Sequence, residues 1–480
     1  MEGSRRRRPS LTSCAGIALA LGVIVARAIV APGTDAVAET RASRTAATIR
    51  SVLDRGPHAG TCERCHTMHA EQSLPESFAL VGPDDNSLCA SCHTTPWKGG
   101  SYPDLFTYAR SSHGTDAAMV WPGPGPVART EPDAAGKCVN CHDPHGWTDT
   151  AGDIPNLTYA REEALCLSCH DGSPASSHVS ADFAKPYAHP TSLVSGRHAG
   201  AGESLPADFG AAPVNRRHAE CEDCHNSHVA HRDDEDVAGT TELSKLNLGV
   251  SRVRAEFGAA GFAPAYTFLA GADTVSTPYA ESQVCYKCHS SYTNQPPGQT
   301  DLALVLNPAN PSYHPVEAPG RDLSIRLASF TPGWSASSIT RCGDCHGSDF
   351  PSSRGVHGSN YRFLLKSPYT ASPQPRIMDP DEICFTCHAW DVYANPSSPE
   401  AVQSASRFNA PGTSQGHASH VGERDVPCYG CHTTHGSTSQ RHLIVIGRNP
   451  GIVSYTETAS GGTCTATCHG PQPYAVNYAR

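Results

Sequence analysis

A cysteine pair followed at once by a histidine occurs ten times along this chain of 480 residues. Nine copies share the spacing Cys-x-x-Cys-His: Cys62, Cys65 and His66; Cys89, Cys92 and His93; Cys138, Cys141 and His142; Cys166, Cys169 and His170; Cys221, Cys224 and His225; Cys285, Cys288 and His289; Cys342, Cys345 and His346; Cys384, Cys387 and His388; and Cys428, Cys431 and His432. The tenth, Cys464, Cys468 and His469, carries one extra residue. This spacing is the attachment signal for c-type haem. Three residues apart on a helix, two sulfurs lie on one face and can each bond a vinyl carbon of a porphyrin. The adjacent imidazole then reaches the iron as proximal ligand. The motifs therefore predict ten covalently bound haem c groups. Of the 21 cysteines only Cys14 lies outside them, so none is left for a disulfide framework. A structural zinc site would need two ligand pairs in a tetrahedron, with no reason for a histidine after every second cysteine.

So many porphyrins constrain the fold. Only 38% of residues are apolar, and Gly and Pro number 42 and 39. Such a chain lacks the material for a conventional core, and the porphyrins are expected to supply it. The expected class is mostly irregular with short α-helices, packed around haem and built from five tandem units of paired motifs. The units are placed at 39–115, 116–200, 201–320 with an insertion, 321–410 and 411–480. Within pairs the first cysteines lie 27, 28, 64, 42 and 36 residues apart.

The first motif of a pair extends to Cys-x-x-Cys-His-x-x-His, with His69, His145, His228 and His435 in the last position. The fourth pair departs. There His357-Gly358-Ser359, followed by Leu364-Leu365, parallels His435-Gly436-Ser437 followed by Leu443-Ile444, which makes His357 the displaced equivalent. The second motif often follows a capped helix start: Asp84-Asp85-Asn86-Ser87, Thr158 with Glu162 and Glu163, Thr277-Pro278 with Glu281, and Asp379-Pro380-Asp381-Glu382,. The stretch Thr241 to Ala270 is expected to add a small helix or lobe, and strand signals are weak.

On a helical turn the two imidazoles of His-x-x-His stand about 5 to 6 Å apart at Cβ. They cannot grip one iron from opposite faces, so the second must serve another haem. Each pair also has a histidine upstream: His58, His113, His189, His314, and His417 or His420. With His69, His145, His228, His357 and His435 these make ten distal candidates, although His198 and His218 compete with His189. Met1, Met68, Met119 and Met378 follow no pattern. Ligation by two histidines without methionine favours low potentials.

Paired motifs, with Cys138 to Gly146 and Cys428 to Gly436 the clearest openings, resemble the doubled-CxxCH family of multihaem cytochromes c over roughly residues 55 to 470,. The resemblance implies extracytoplasmic electron transfer, often in bacteria that respire metals or other insoluble acceptors. Some cytochromes of similar build polymerise into filaments. His357 and the lengthened last motif depart from the family pattern.

The N-terminus fits export. Arg5 to Arg8, the apolar stretch Ser13 to Ala26 and Ala36-Val37-Ala38 read as a signal peptide over residues 1–38,. Left uncleaved, Leu11 to Ala31 would be an anchor and the sole membrane contact. The expected place is therefore periplasm, cell surface or extracellular space. A net charge of −10 argues against nucleic acid,. Redox proteins or extracellular acceptors are the expected partners, with a homopolymer as an alternative. The acidic run Asp233 to Asp236 reads as a solvated loop, and His178 and His442 as non-ligands. An enzyme would need a haem with one open face. No Cys-x-x-Cys-Lys occurs, and the haem at His469 is the place where a vacancy would fall. A carrier is the preferred reading.

Overall fold

The computed structural model describes residues 58–479, apart from positions 59, 61, 68–79, 84, 94–107, 121–134, 150–151, 161, 192–217, 233–242, 272–279, 294, 296, 350–353 and 411–414. The N-terminal segment, His69, His198, Thr277-Pro278 and the acidic run at 233–236 lie outside the described residues.

The chain is mostly irregular, punctuated by short helices and small sheets. Many helices are a single turn that opens on a motif cysteine: Cys221–Cys224, Cys342–Cys345 and Cys428–Cys431 are α-helical, and Cys62–Arg64 and Cys138–Asn140 are 3-10. Two of these turns are closed by the aspartate before the second cysteine. Asp223 accepts from the Glu220 backbone N–H at 2.8 Å, and Asp344 from that of Arg341 at 2.7 Å. Each satisfies a donor that a helix start leaves orphaned. The second motifs start on slightly longer pieces, Asn86–Ala90, Glu162–Leu167 and Glu281–His289. Asp85 caps the first of them, accepting from Ser87 N–H at 2.7 Å.

Two expectations need correction, and one alternative is decided. Asp379 to Glu382 does not cap an α-helix; a 3-10 turn Ile383–Thr386 follows, and the buried Glu382 carboxylate instead pairs with Arg376. The insertion takes the lobe alternative rather than the helix: Arg252–Glu256 and Ala265–Leu269 form an antiparallel hairpin that packs on Glu281–His289. The last motif is not helical either. Cys464 lies on strand Gly461–Ala466 and His469 opens strand His469–Ala475, within a three-stranded sheet completed by Ile452–Thr458. Alternation of Thr463, Cys464, Thr465, Ala466 and Thr467 explains this, since β-branched residues at period two favour a pleated strand.

Apolar packing is dispersed. The cluster beneath the hairpin holds Val253, Tyr286, Tyr292, Ala303 and Leu306, and separate small clusters surround Trp147 and Met378. Between them runs one continuous cavity of about 4580 Å³. Ordinary ligand sites span roughly 300 to 1,000 Å³, so a single small molecule is far too small an occupant. No described helix is long and apolar enough to cross a membrane.

Candidate haem-binding sites

All twenty motif cysteines and all ten motif histidines line that cavity. The helical turns end at the second cysteine, and the histidine that follows is extended: His225, His346 and His432 have φ of −130°, −93° and −117°. The His-x-x-His segment is therefore not a helical turn, contrary to the sequence expectation. Extension throws its two imidazoles further apart, which strengthens the inference that they serve different partners.

Four of the motif imidazoles are held from behind by a backbone carbonyl. Nδ1–H of His142, His225, His346 and His432 donates to the carbonyls of Asn156, Leu246, Phe363 and His442 at 2.9, 2.9, 2.8 and 2.8 Å. This fixes the tautomer and leaves Nε2 for a metal. Three of the accepting residues are left-handed, Asn156, Phe363 and His442 with φ of 57°, 65° and 57°, and each is followed by a left-handed leucine. That turn is recognisable in the sequence only as a recurring leucine 11 to 18 residues after the motif histidine. Its conformation could not be read there, because left-handed Phe and Leu are unfavourable in isolation.

Opposite the motif imidazoles stand other imidazoles. His66 faces His145 with ring centroids 5.8 Å apart, His142 faces His228 at 6.0 Å, His225 faces His357 at 6.0 Å and His346 faces His435 at 6.1 Å. Each is thus met by the second histidine of the next pair, including the displaced His357. The second motifs are met by the upstream histidines: His93 by His58 at 6.1 Å, His170 by His113 at 6.0 Å, and His289 by His189 at 6.4 Å. His388 makes no described ring contact with another histidine, but besides its burial, His314 and His432 lie near enough to lower its pKa. In the last pair His417 faces His432 at 6.1 Å and His420 faces His469 at 6.4 Å. Two imidazoles gripping one iron through Nε2 place their centroids about 6 Å apart. The residues present therefore fit iron porphyrin.

The opposing histidines are locked together in twos. Nδ1–H of His58, His113 and His189 donates to the carbonyls of Pro144, Ser227 and Val356 at 3.1, 2.9 and 2.5 Å, and that of His314 to Thr434. Those carbonyls belong to the residues just before His145, His228, His357 and His435. One clamp thus presents two imidazoles to the two motifs of one pair. Short antiparallel pairings support it, Tyr187–Ala188 with Gly358–Ser359 and Ser312–Tyr313 with Gly436–Ser437. Gly436 is obligatory there, since a Cβ would lie 1.9 Å from the Val305 carbonyl oxygen. Gly436→Ala should cost about 1 to 3 kcal/mol by overpacking against backbone and disturb the His314–His435 clamp. Denaturant unfolding of the haem-loaded protein and its absorbance in the low-spin bands would show both effects; unchanged values would refute the role.

Burial keeps these imidazoles neutral, the form that ligates iron. Desolvation pushes His170, His289, His388 and His432 down to about 4, and likewise His228, His357 and His435 opposite. The cysteines also adjoin across pairs. Cys89 is within hydrogen-bond range of Cys138, Cys166 of Cys221, Cys285 of Cys342 and Cys384 of Cys428. Glu281, Cys285 and Cys342 gather within 4.8 Å, as a metal site would, but both cysteines belong to attachment motifs. The thiols stand where thioether sulfurs would.

Residues 131–175 match the family model of the doubled CXXCH motif. The match supports a multihaem c-type cytochrome that binds haem covalently and transfers electrons. It spans the third and fourth motifs. No curated protein and no solved structure matches the chain. Of the remaining histidines, His442 donates or accepts at Glu457 at 2.9 Å and His218 lies 3.5 Å from Glu220. Neither stands opposite a motif histidine among the described ring contacts. Sequence reasoning left His417 and His420 as alternatives; both are brought to motif histidines, from one π-helical turn, Ala418–Glu423, and the residue before it.

Proposed function

We propose that the chain is a decahaem electron carrier of five dihaem units, with every iron held between two histidines, working outside the cytoplasm. The observation that carries this reading is the opposition of nine of the ten motif histidines to nine others along one cavity that the twenty motif cysteines also line. Haem supplies a reversible one-electron iron centre. The chain's own residues attach it, orient the imidazoles by their Nδ1–H bonds and shield the centre from water. The second motif of each of the first four pairs adjoins the first motif of the next through its cysteines, which would bring bound porphyrins close there and favour hopping from pair to pair. Histidine on both sides favours low potentials, suited to a respiratory donor to redox proteins or extracellular acceptors. The N-terminal signal segment is the support for export.

A haem assay in pyridine should return ten haems per chain, including one on the Cys464–Cys468 motif, and the reduced protein should bind almost no carbon monoxide. A count well below ten, or strong carbon monoxide binding, would defeat the reading. The second result would favour a reductase or oxidase with one open iron. A filament whose subunits exchange ligands is less well supported, because an opposing histidine from the same chain is at hand for nine of the ten motif histidines, His432 included.

A further inference from the structure

The last pair differs from the other four in how its opposing histidines are held. Among the described residues, no carbonyl before a His-x-x-His histidine clamps them. Instead Ser406 Oγ shares a hydrogen bond with His417 Nδ1 at 2.6 Å, and His420 Nδ1–H donates to the Gly416 carbonyl at 2.8 Å. Each contact fixes one atom of its ring, so the ring plane depends also on what packs against it. Two aromatic side chains occupy the flanks. Tyr393 meets His388 edge-on at 5.4 Å and His417 at 5.0 Å. Phe408 meets His417 edge-on at 5.3 Å and lies parallel to His420 at 6.0 Å. Both aromatics are themselves braced, Phe408 by Tyr474 at 5.1 Å and the Tyr393 hydroxyl by Ser329. The result is an unbroken series of rings, His388, Tyr393, His417, Phe408 and His420.

We infer that Tyr393 and Phe408 are positioning residues that set the imidazole planes of His388, His417 and His420, and through them the potentials of the last three haems. The inference rests on the bis-histidine reading above. The orientation of an axial imidazole decides which iron d orbital it donates into by π overlap. Two imidazoles with parallel planes and two with crossed planes therefore give different low-spin signals and different potentials. A single Nδ1 bond fixes one ring atom, and here aromatic packing, whose preferred geometry is specific, adds a constraint on the plane. His417 and His432 are near-parallel at 28°, whereas His420 and His469 are inclined at 54°. The two haems are thus expected to differ from each other although both carry two histidines.

The test uses the full-length, haem-loaded protein carrying Phe408→Leu, Tyr393→Leu or Tyr393→Phe. Haem content and carbon monoxide binding are measured first; ten haems and no binding would leave the bis-histidine reading standing. Low-temperature electron paramagnetic resonance and a potentiometric titration then report plane and potential. F408L should alter the signals of two haems and displace two midpoint steps. Y393L should likewise alter two, one of them shared with F408L. Y393F keeps the ring and should match the parent. Full haem content with resonance and potentials identical to the parent in both leucine variants would overturn the inference. So would loss of haem in both, which would show that the rings serve folding rather than orientation.

Discussion

Made without haem attachment, the chain should show a coil-like far-ultraviolet circular dichroism spectrum and no cooperative thermal transition. Ordering a residue costs about 1 to 2 kcal/mol of backbone entropy. Against this the largest apolar cluster has only five buried residues, and each returns about 1.5 to 3 kcal/mol. Helices of four or five residues cannot hold themselves together, and most here are that short. The walls of a cavity of about 4580 Å³ are what the fold converges on. Left to water, those walls would have no partner atoms and the buried imidazoles no iron to compensate their desolvation. Thioether-bound porphyrin supplies both, as metal does in small metalloproteins that fold only when loaded. A sigmoidal melt of haem-free protein, coincident by two probes, would contradict this account. The haem-loaded protein melted alongside serves as the positive control.

Replacing His145 with alanine should open the iron of a different pair of motifs from the one that contains it. His145 follows the third motif in sequence but faces His66 of the first across 5.8 Å. His145→Ala should therefore leave about one haem of ten five-coordinate and able to bind carbon monoxide, with haem content unchanged. The clamp on His58 should survive, because its acceptor is the Pro144 carbonyl and not a side chain. Cys62→Ser and Cys65→Ser, added to His145→Ala, remove the haem that the first motif attaches. Carbon monoxide binding should then vanish. If it persists, the opened iron lies elsewhere and the cross-pair assignment is wrong. If H145A binds none, His145 is no ligand.

Much of the site was legible in the sequence because covalent attachment requires fixed residue types at fixed spacing. The attachment cysteines and proximal histidines follow from that spacing alone. His357 was recoverable from His-Gly-Ser and its trailing leucine, because the close approach that forbids a side chain at Gly436 also forbids one at Gly358, where a Cβ would lie 1.8 Å from the Asp182 carbonyl oxygen. Less legible was whatever depends on long-range backbone contacts. The hairpin in the insertion escaped notice because its stability comes from packing on Glu281–His289 rather than from alternation. The failed cap before Cys384 has the same cause, since Glu382 found a better partner in Arg376.

The sequence by itself determined the chemistry: thiols and imidazoles at a spacing that only a porphyrin satisfies, in a chain too poor in apolar residues to fold around itself. Only the tertiary structure decided the wiring. Which imidazole meets which depends on carbonyls of residues 86 to 167 positions away along the chain. A hydrogen bond to a backbone carbonyl is indifferent to the side chain that follows it, so it leaves no mark in the order of the residues.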